Sequence, residues 1–141
     1  FHSQFSVQEE ALYLGIPKFT LQPIIENALR HGLHDNGIAG QIEVKAFIQD
    51  DLLVIKVCDN GCGMQPDTLA RLQQHITSKI ADPQYGIGLR NVHSRIHMLF
   101  GPEYGILVDS TPDLGTTVTI TIPAIAKKEM ESYVEQESQK G

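Results

Sequence analysis

The chain has 141 residues, the size of one ordinary domain with a single core. Hydrophobic residues make up 41% and charged residues 20%, a globular composition, and the net charge of −6 argues against a nucleic-acid groove or an anionic membrane surface as main partner. No apolar run approaches the ~20 residues that span a bilayer, no signal peptide is visible, and Cys58 and Cys62 lack the Cys/His companions of a zinc site. The chain begins at Phe1 without an initiator Met and is expected to be a piece of something larger.

In chain order, Phe5-Ser6-Val7 alternates, and Ala11 to Leu14 could extend a short edge strand. Thr20 can cap a helix that runs to His31, with Pro23 in its tolerated first turn and Gly32 at its end. Leu21, Ile24, Ile25, Ala28 and Leu29 form its apolar stripe. Ile42, Val44, Ala46 and Ile48 follow strand period two. Asp50-Asp51 turns into a second strand, Leu52 to Cys58, with Cys58 expected in the core. Pro66 opens a short helix carrying Leu69 and Leu72. His75 to Tyr85 is polar and unperiodic. A helix is predicted from about Leu89 to Phe100 with Val92, Ile96 and Leu99 inward. Gly105 to Asp109 and Thr116 to Pro123 read as a final strand pair, with Val118, Ile120 and Ile122 on one face. The tail, 125–141, reads as frayed helix or disorder after a domain over 1–124. Helices interleave with mostly antiparallel strands, so two layers are expected, sheet against helices.

Four segments carry chemistry. Asp59-Asn60-Gly61-Cys62-Gly63-Met64 follows the apolar strand Leu52 to Cys58. One carboxylate can accept from the exocyclic amine of adenine, and Gly61 and Gly63 let backbone approach a flat ring. The alternative for Asp59 is a strand-end turn, and for Met64 a core methionine. Glu26-Asn27-Ala28-Leu29-Arg30-His31 lies on the first helix. The amide oxygen of Asn27 is a hard ligand suited to Mg²⁺, which takes most remaining oxygens from phosphates and water. Asn is a poor helix former, so its presence wants a reason. Gly86-Ile87-Gly88 precedes a helix, where free N–H groups bind phosphate. The fourth segment is Gly115-Thr116-Thr117, whose bland reading is β-propensity.

This ordered series resembles the boxes of the gyrase/chaperone/histidine-kinase/mismatch-repair ATPase superfamily. Leu21-Gln22-Pro23-Ile24-Ile25-Glu26-Asn27-Ala28, the run Gly86 to Arg95, Phe100-Gly101 and Gly115 to Pro123 look like the YesM/LytS type of sensor histidine kinase. The resemblance spans Phe5 to Pro123. It implies a Bergerat-type α+β two-layer sandwich: a mixed, mostly antiparallel sheet covered on one face by helices. It implies ATP and Mg²⁺ as cofactors, Asn27 as metal ligand, and Asp59, Gly61, Gly63 and Met64 around the base. Arg30 and His31 would stand beside the nucleotide, although a His near a helix end also serves as a favourable C-terminal charge. Gly86, Ile87, Gly88, Leu89 and Asn91 would complete the phosphate motif, His75 to Tyr85 would be the ATP lid, and Thr116 would reach the adenine. Glu26 would orient or deprotonate the nucleophile, against the alternative of a solvated helix residue.

The implied function is the ATP-binding catalytic domain of a two-component sensor histidine kinase. It would transfer the γ-phosphate to a His on a separate dimerisation domain of the same homodimeric protein, with a response regulator downstream. This chain would be a cytoplasmic domain of a membrane protein, without nucleic-acid or direct membrane contact. The sequence departs from many histidine kinases at Pro23, where a second Asn is common. Its lid is short, and no phosphoacceptor His has a suitable setting. Two other readings stay open: an ATP-hydrolysing conformational clamp of the same superfamily, and an anti-sigma-type protein-binding module.

Overall fold

A computed structural model describes residues 2–7, 22–24, 40–78, 85, 87–125 and 129–130. Five strands, β1 (His2–Val7), β2 (Gln41–Gln49), β3 (Leu52–Asp59), β4 (Gly105–Thr111) and β5 (Gly115–Pro123), form one sheet in the order β1-β2-β3-β5-β4. β1 runs parallel to β2 at one edge, and every other pairing is antiparallel. Two helices, α1 (Pro66–Thr77) and α2 (Gly88–Phe100), contribute buried residues to the core. Residues 22–24 are helical too, and Ile24 there is fully buried. The expected α+β sandwich, a mixed and mostly antiparallel sheet with helices on one face, is the fold observed.

Strand period two and register together explain the core. Alternate residues of four strands align in rows on the helix-covered face: Val44, Val57, Val118 and Val108, then Ala46, Ile55, Ile120 and Ile106, then Ile48, Leu53 and Ile122. All but Ala46 and Ile48 are buried, and those two pack against the cluster. β-Branched side chains suit such rows because they fill a pleated surface with little loss of rotamer freedom. Burying each Val or Ile contributes roughly 1.5–3 kcal/mol. Leu89, Val92 and Ile96 of α2 and Ile76 of α1 meet them from the helix layer. Leu99, expected inward, is half-buried. Asp50 and Asp51 both take positive φ, 51° and 63°, the two-residue hairpin turn in which twist matches that of the strands.

β4 is an edge strand, and side chains from the helices occupy its outward N–H groups. Ile106 N donates to His93 Nδ1 at 2.9 Å, and Val108 N donates to Gln73 Oε1 at 3.0 Å. Accepting at Nδ1 requires a neutral His93 with its proton on Nε2, which is buried and has no hydrogen-bond partner among the described residues. Burial, and secondarily the neighbouring His97, lower the His93 pKa from 6.5 to about 4. Because the folded value lies below the unfolded one, this group's stabilisation is complete above pH 6.5. It is lost as pH falls toward 4, by about 3 kcal/mol in all. Urea unfolding at pH 7 and pH 4 should show this loss in the parent. His93→Asn, whose Oδ1 can still accept from Ile106, should show a loss smaller by about that amount. Equal losses in both proteins would contradict the assignment.

Three expectations need correction. His75 and Ile76 are buried inside α1, which continues to Thr77, so the polar segment cannot begin at His75. The ring of His75 lies tilted against that of Tyr85, with centroids 5.5 Å apart, a contact ten residues away that period alone does not show. Cys58 is half-buried, because its parity on β3 sends it to the face opposite Val57. Within the span read as a charged tail, Ile125 and Met130 are buried and join the core. Ala11 to Leu14, the greater part of the first predicted helix including Glu26, Asn27, Arg30 and His31, and Gly86 lie outside the described residues.

Candidate functional site

The apolar rows end in a polar one. On the helix-covered face beyond Val57, Val118 and Val108 come Asp59, Thr116 and Ser110, paired across β3, β5 and β4. Here the core stops and side chains able to meet a ligand begin.

Asp59 is fixed by backbone. Its Oδ1 accepts from Gly61 N at 2.9 Å and Thr116 N at 3.2 Å. Among the described residues Oδ2 accepts no hydrogen bond. Burial pushes the carboxyl pKa above the ordinary value, and the two N–H donors work in the opposite direction. The result is an oriented carboxylate, partly removed from water, with one oxygen unspent. That is a suitable acceptor for an amine hydrogen, because acceptors strengthen where water is scarce.

The loop after Asp59 is held at both ends. Asn60 Oδ1 accepts from Gln41 N at 2.8 Å, and Asn60 N donates to Gln41 O at 3.3 Å. Asp113 N, in the β4–β5 turn, donates to Cys62 O at 2.7 Å. Gly61 is buried. Gly63 has φ +69°, and a side chain there would run into the carbonyl of Thr111. Met64 is half-buried against the core, and its N–H donates to Ser110 Oγ at 2.8 Å. Ser110 Oγ also donates to Gly115 O at 3.0 Å and pairs with Thr116 Oγ1 at 2.9 Å. Sequence reasoning passed over Ser110, because a Ser at a strand end carries no signal until register sets it beside Thr116.

The second candidate segment is the N-terminus of α2. Gly88 is its first residue, and the Asn91 N–H donates to Ile87 O at 2.8 Å. Ile87 and Asn91 are exposed, and no acidic residue lies in the first turn. Among the described residues a Cβ on Gly88 would make only ordinary contact, with the Pro23 side chain, so their packing does not demand glycine there. Close approach by a ligand would. Leu89 is buried in the core, so only its backbone could serve a ligand. Arg90 turns the other way: its Nη1 donates to the carbonyls of His75 at 3.0 Å and Ser78 at 2.5 Å, capping the end of α1.

Thus Asp59, Gly61, Gly63, Met64 and Thr116 come together at one end of the sheet, and Ile87, Gly88, Leu89 and Asn91 form the helix start. Glu26, Asn27, Arg30, His31 and Gly86 are not described.

The chain is similar to known proteins. Residues 17–126 match the model of the Histidine kinase-, DNA gyrase B-, and HSP90-like ATPase family. The chain is 34% identical over 117 residues to the sensor histidine kinase YesM of Bacillus subtilis (strain 168), covering 83% of this chain and 18% of that protein. It is 31% identical over 117 residues to the sensor protein LytS of Bacillus anthracis, covering 83% and 20% respectively. It therefore spans about a fifth of the length of these relatives. Among solved structures, the catalytic domain of histidine kinase ThkA superposes with a TM-score of 0.64 at 14% identity, covering 88% of this chain and 80% of that one. The histidine kinase domain of the Erythrobacter litoralis EL346 blue-light activated kinase gives 0.59 at 17%, covering 95% and 55%. With the matched span, the identities and the fold in agreement, the chain belongs to the histidine kinase-, DNA gyrase B- and HSP90-like ATPase family, in its YesM/LytS sensor-kinase branch.

Proposed function

We propose that this domain binds Mg-ATP and delivers the γ-phosphate to a His on a separate dimerisation domain of the same membrane-anchored homodimeric kinase, from which a response regulator takes it. The observation that carries the base assignment is Asp59, with Oδ1 tied to two backbone N–H groups and Oδ2 unspent among the described residues. The adenine amine would donate to Oδ2, and the ring would lie against Gly61, Gly63 and Met64. Phosphates would extend to the N-terminus of α2, where Gly86, Ile87 and Gly88 would supply N–H groups. Arg30 and His31 would add positive charge or contact beside them.

Among the described residues no three His, Cys, Asp or Glu side chains converge on a metal site. Mg²⁺ would be held by the Asn27 amide oxygen together with phosphate oxygens and water, the habit of this ion. Bound there, it would offset phosphate charge during in-line transfer. Glu26 would orient the accepting imidazole or take its proton. No helix among the described residues is long and apolar enough to cross a membrane.

The test pairs calorimetry, with and without Mg²⁺, with single-turnover transfer to a supplied His-bearing dimerisation domain. ATP should bind more tightly with Mg²⁺ than with EDTA. Asn27→Ala should lose Mg-dependent affinity and transfer together. Glu26→Gln should hold affinity within about twofold and slow transfer by roughly 10²-fold. Transfer at the parent rate by Glu26→Gln would leave Glu26 a solvated helix residue, and Mg-independent binding would withdraw Asn27.

A further inference from the structure

The polar row contains one group that neither the sequence motifs nor the family match assigns. Ser110 Oγ has one proton and two lone pairs. It donates to Gly115 O at 3.0 Å, which spends the proton. It accepts from Met64 N at 2.8 Å, which spends one lone pair. The 2.9 Å contact with Thr116 Oγ1 then has a single consistent polarity: Thr116 donates and Ser110 accepts. Every bonding position of Ser110 is filled. The Thr116 hydroxyl has given up its only proton and offers lone pairs alone.

Resting on the reading of Asp59 as the base acceptor, we propose that Ser110 is a positioning residue that holds the Thr116 hydroxyl as an acceptor and so selects a purine with an amino group at C6. Asp59 and Thr116 are cross-strand partners, and Thr116 N is bonded to the same carboxylate. The end of the row thus presents two acceptors in succession and no side-chain donor. A 6-amino purine places a donor before them. A 6-oxo purine places a carbonyl oxygen at that position, acceptor against acceptors, and its nearest donor, the N1–H, lies one atom further along the ring. Without Ser110 the Thr116 proton would be released and could turn toward a 6-oxo group.

The two nucleotides that differ at this point are ADP and inosine diphosphate. Calorimetric titration of the parent should show a clear preference for ADP. Ser110→Ala should shrink that preference by about tenfold, chiefly by improving the inosine nucleotide relative to ADP. Ser110→Thr, which keeps the hydroxyl, should keep the parent ratio. A thermal melt of each variant without nucleotide separates folding from selectivity. If Ser110→Ala fails to fold, Ser110→Cys, whose thiol bonds weakly at similar volume, carries the same expectation. Equal weakening of both nucleotides in Ser110→Ala, or a Ser110→Thr as unselective as the Ala variant, would make Ser110 merely structural and leave the base site standing. A parent that binds neither nucleotide, or both equally, would overturn the base assignment and this inference together.

Discussion

Asp59→Asn should weaken ADP binding by about 10³-fold, a change of ~4 kcal/mol, while leaving the domain folded. The asymmetry of the carboxylate is the reason. Oδ1 is held by Gly61 N and Thr116 N, and an amide oxygen can continue to accept both bonds. The amide nitrogen must then take the place of Oδ2, so a donor faces the donor of the adenine amine. The folded carboxyl has a raised pKa caused first by burial, so the fold binds this proton more tightly than the unfolded chain does. Stability from this group is therefore fullest at low pH and declines as pH rises between the ordinary carboxylate value and the folded one. At neutral pH the charged form is a liability in the free domain, and Asp59→Asn should melt no lower than the parent. Calorimetry with ADP and a thermal melt decide the matter together. Parent-like affinity would remove Asp59 from the base site, and a large fall in melting temperature would show a structural anchor instead.

Gly115→Ala should cost about 4 kcal/mol of stability and abolish nucleotide binding with it. Gly115 opens β5 at φ +129°, a conformation that side-chain-bearing residues seldom take. A Cβ there would run into the carbonyl of Asp59 and approach the Cα of Asn60, both backbone atoms with nowhere to move. Relief requires β3 and β5 to part at the row that carries Asp59 and Thr116. Urea denaturation should show the loss directly. A Gly115→Ala protein within about 1 kcal/mol of the parent would mean the two strands are not so closely joined at this end.

Much of this was legible in the sequence because it is written in short periods. Val118, Ile120 and Ile122 share a face by alternation alone, and the observed rows follow once Asp50 and Asp51 fix the hairpin register. Asp59 with Gly61 and Gly63 stood out only through its order with the other three segments, because a carboxylate among glycines at a strand end is also common turn chemistry. The residues that were passed over depend on partners far along the chain. Ser110 acquires meaning from Met64, 46 residues away. His75 looks like a loop residue until Tyr85 packs against it and Arg90 caps the carbonyls around it. Met130 sits among charges and shows no stripe, yet it is buried, because a single apolar side chain can fill a core without a periodic pattern.

The occupied edge of β4 constrains how this domain can meet other proteins. A foreign strand joins a sheet by offering carbonyls to unspent N–H groups along its border, and at Ile106 and Val108 those groups already belong to His93 and Gln73. Strand addition on that side would have to evict two helix side chains from a packed interior. A partner that docks by strand addition is thereby kept from this border, while the opposite edge of the sheet, β1, carries no such constraint from His93 and Gln73. Under the proposed phosphoryl transfer, a donor that visits an acceptor and withdraws on every cycle gains from a border that resists being zipped.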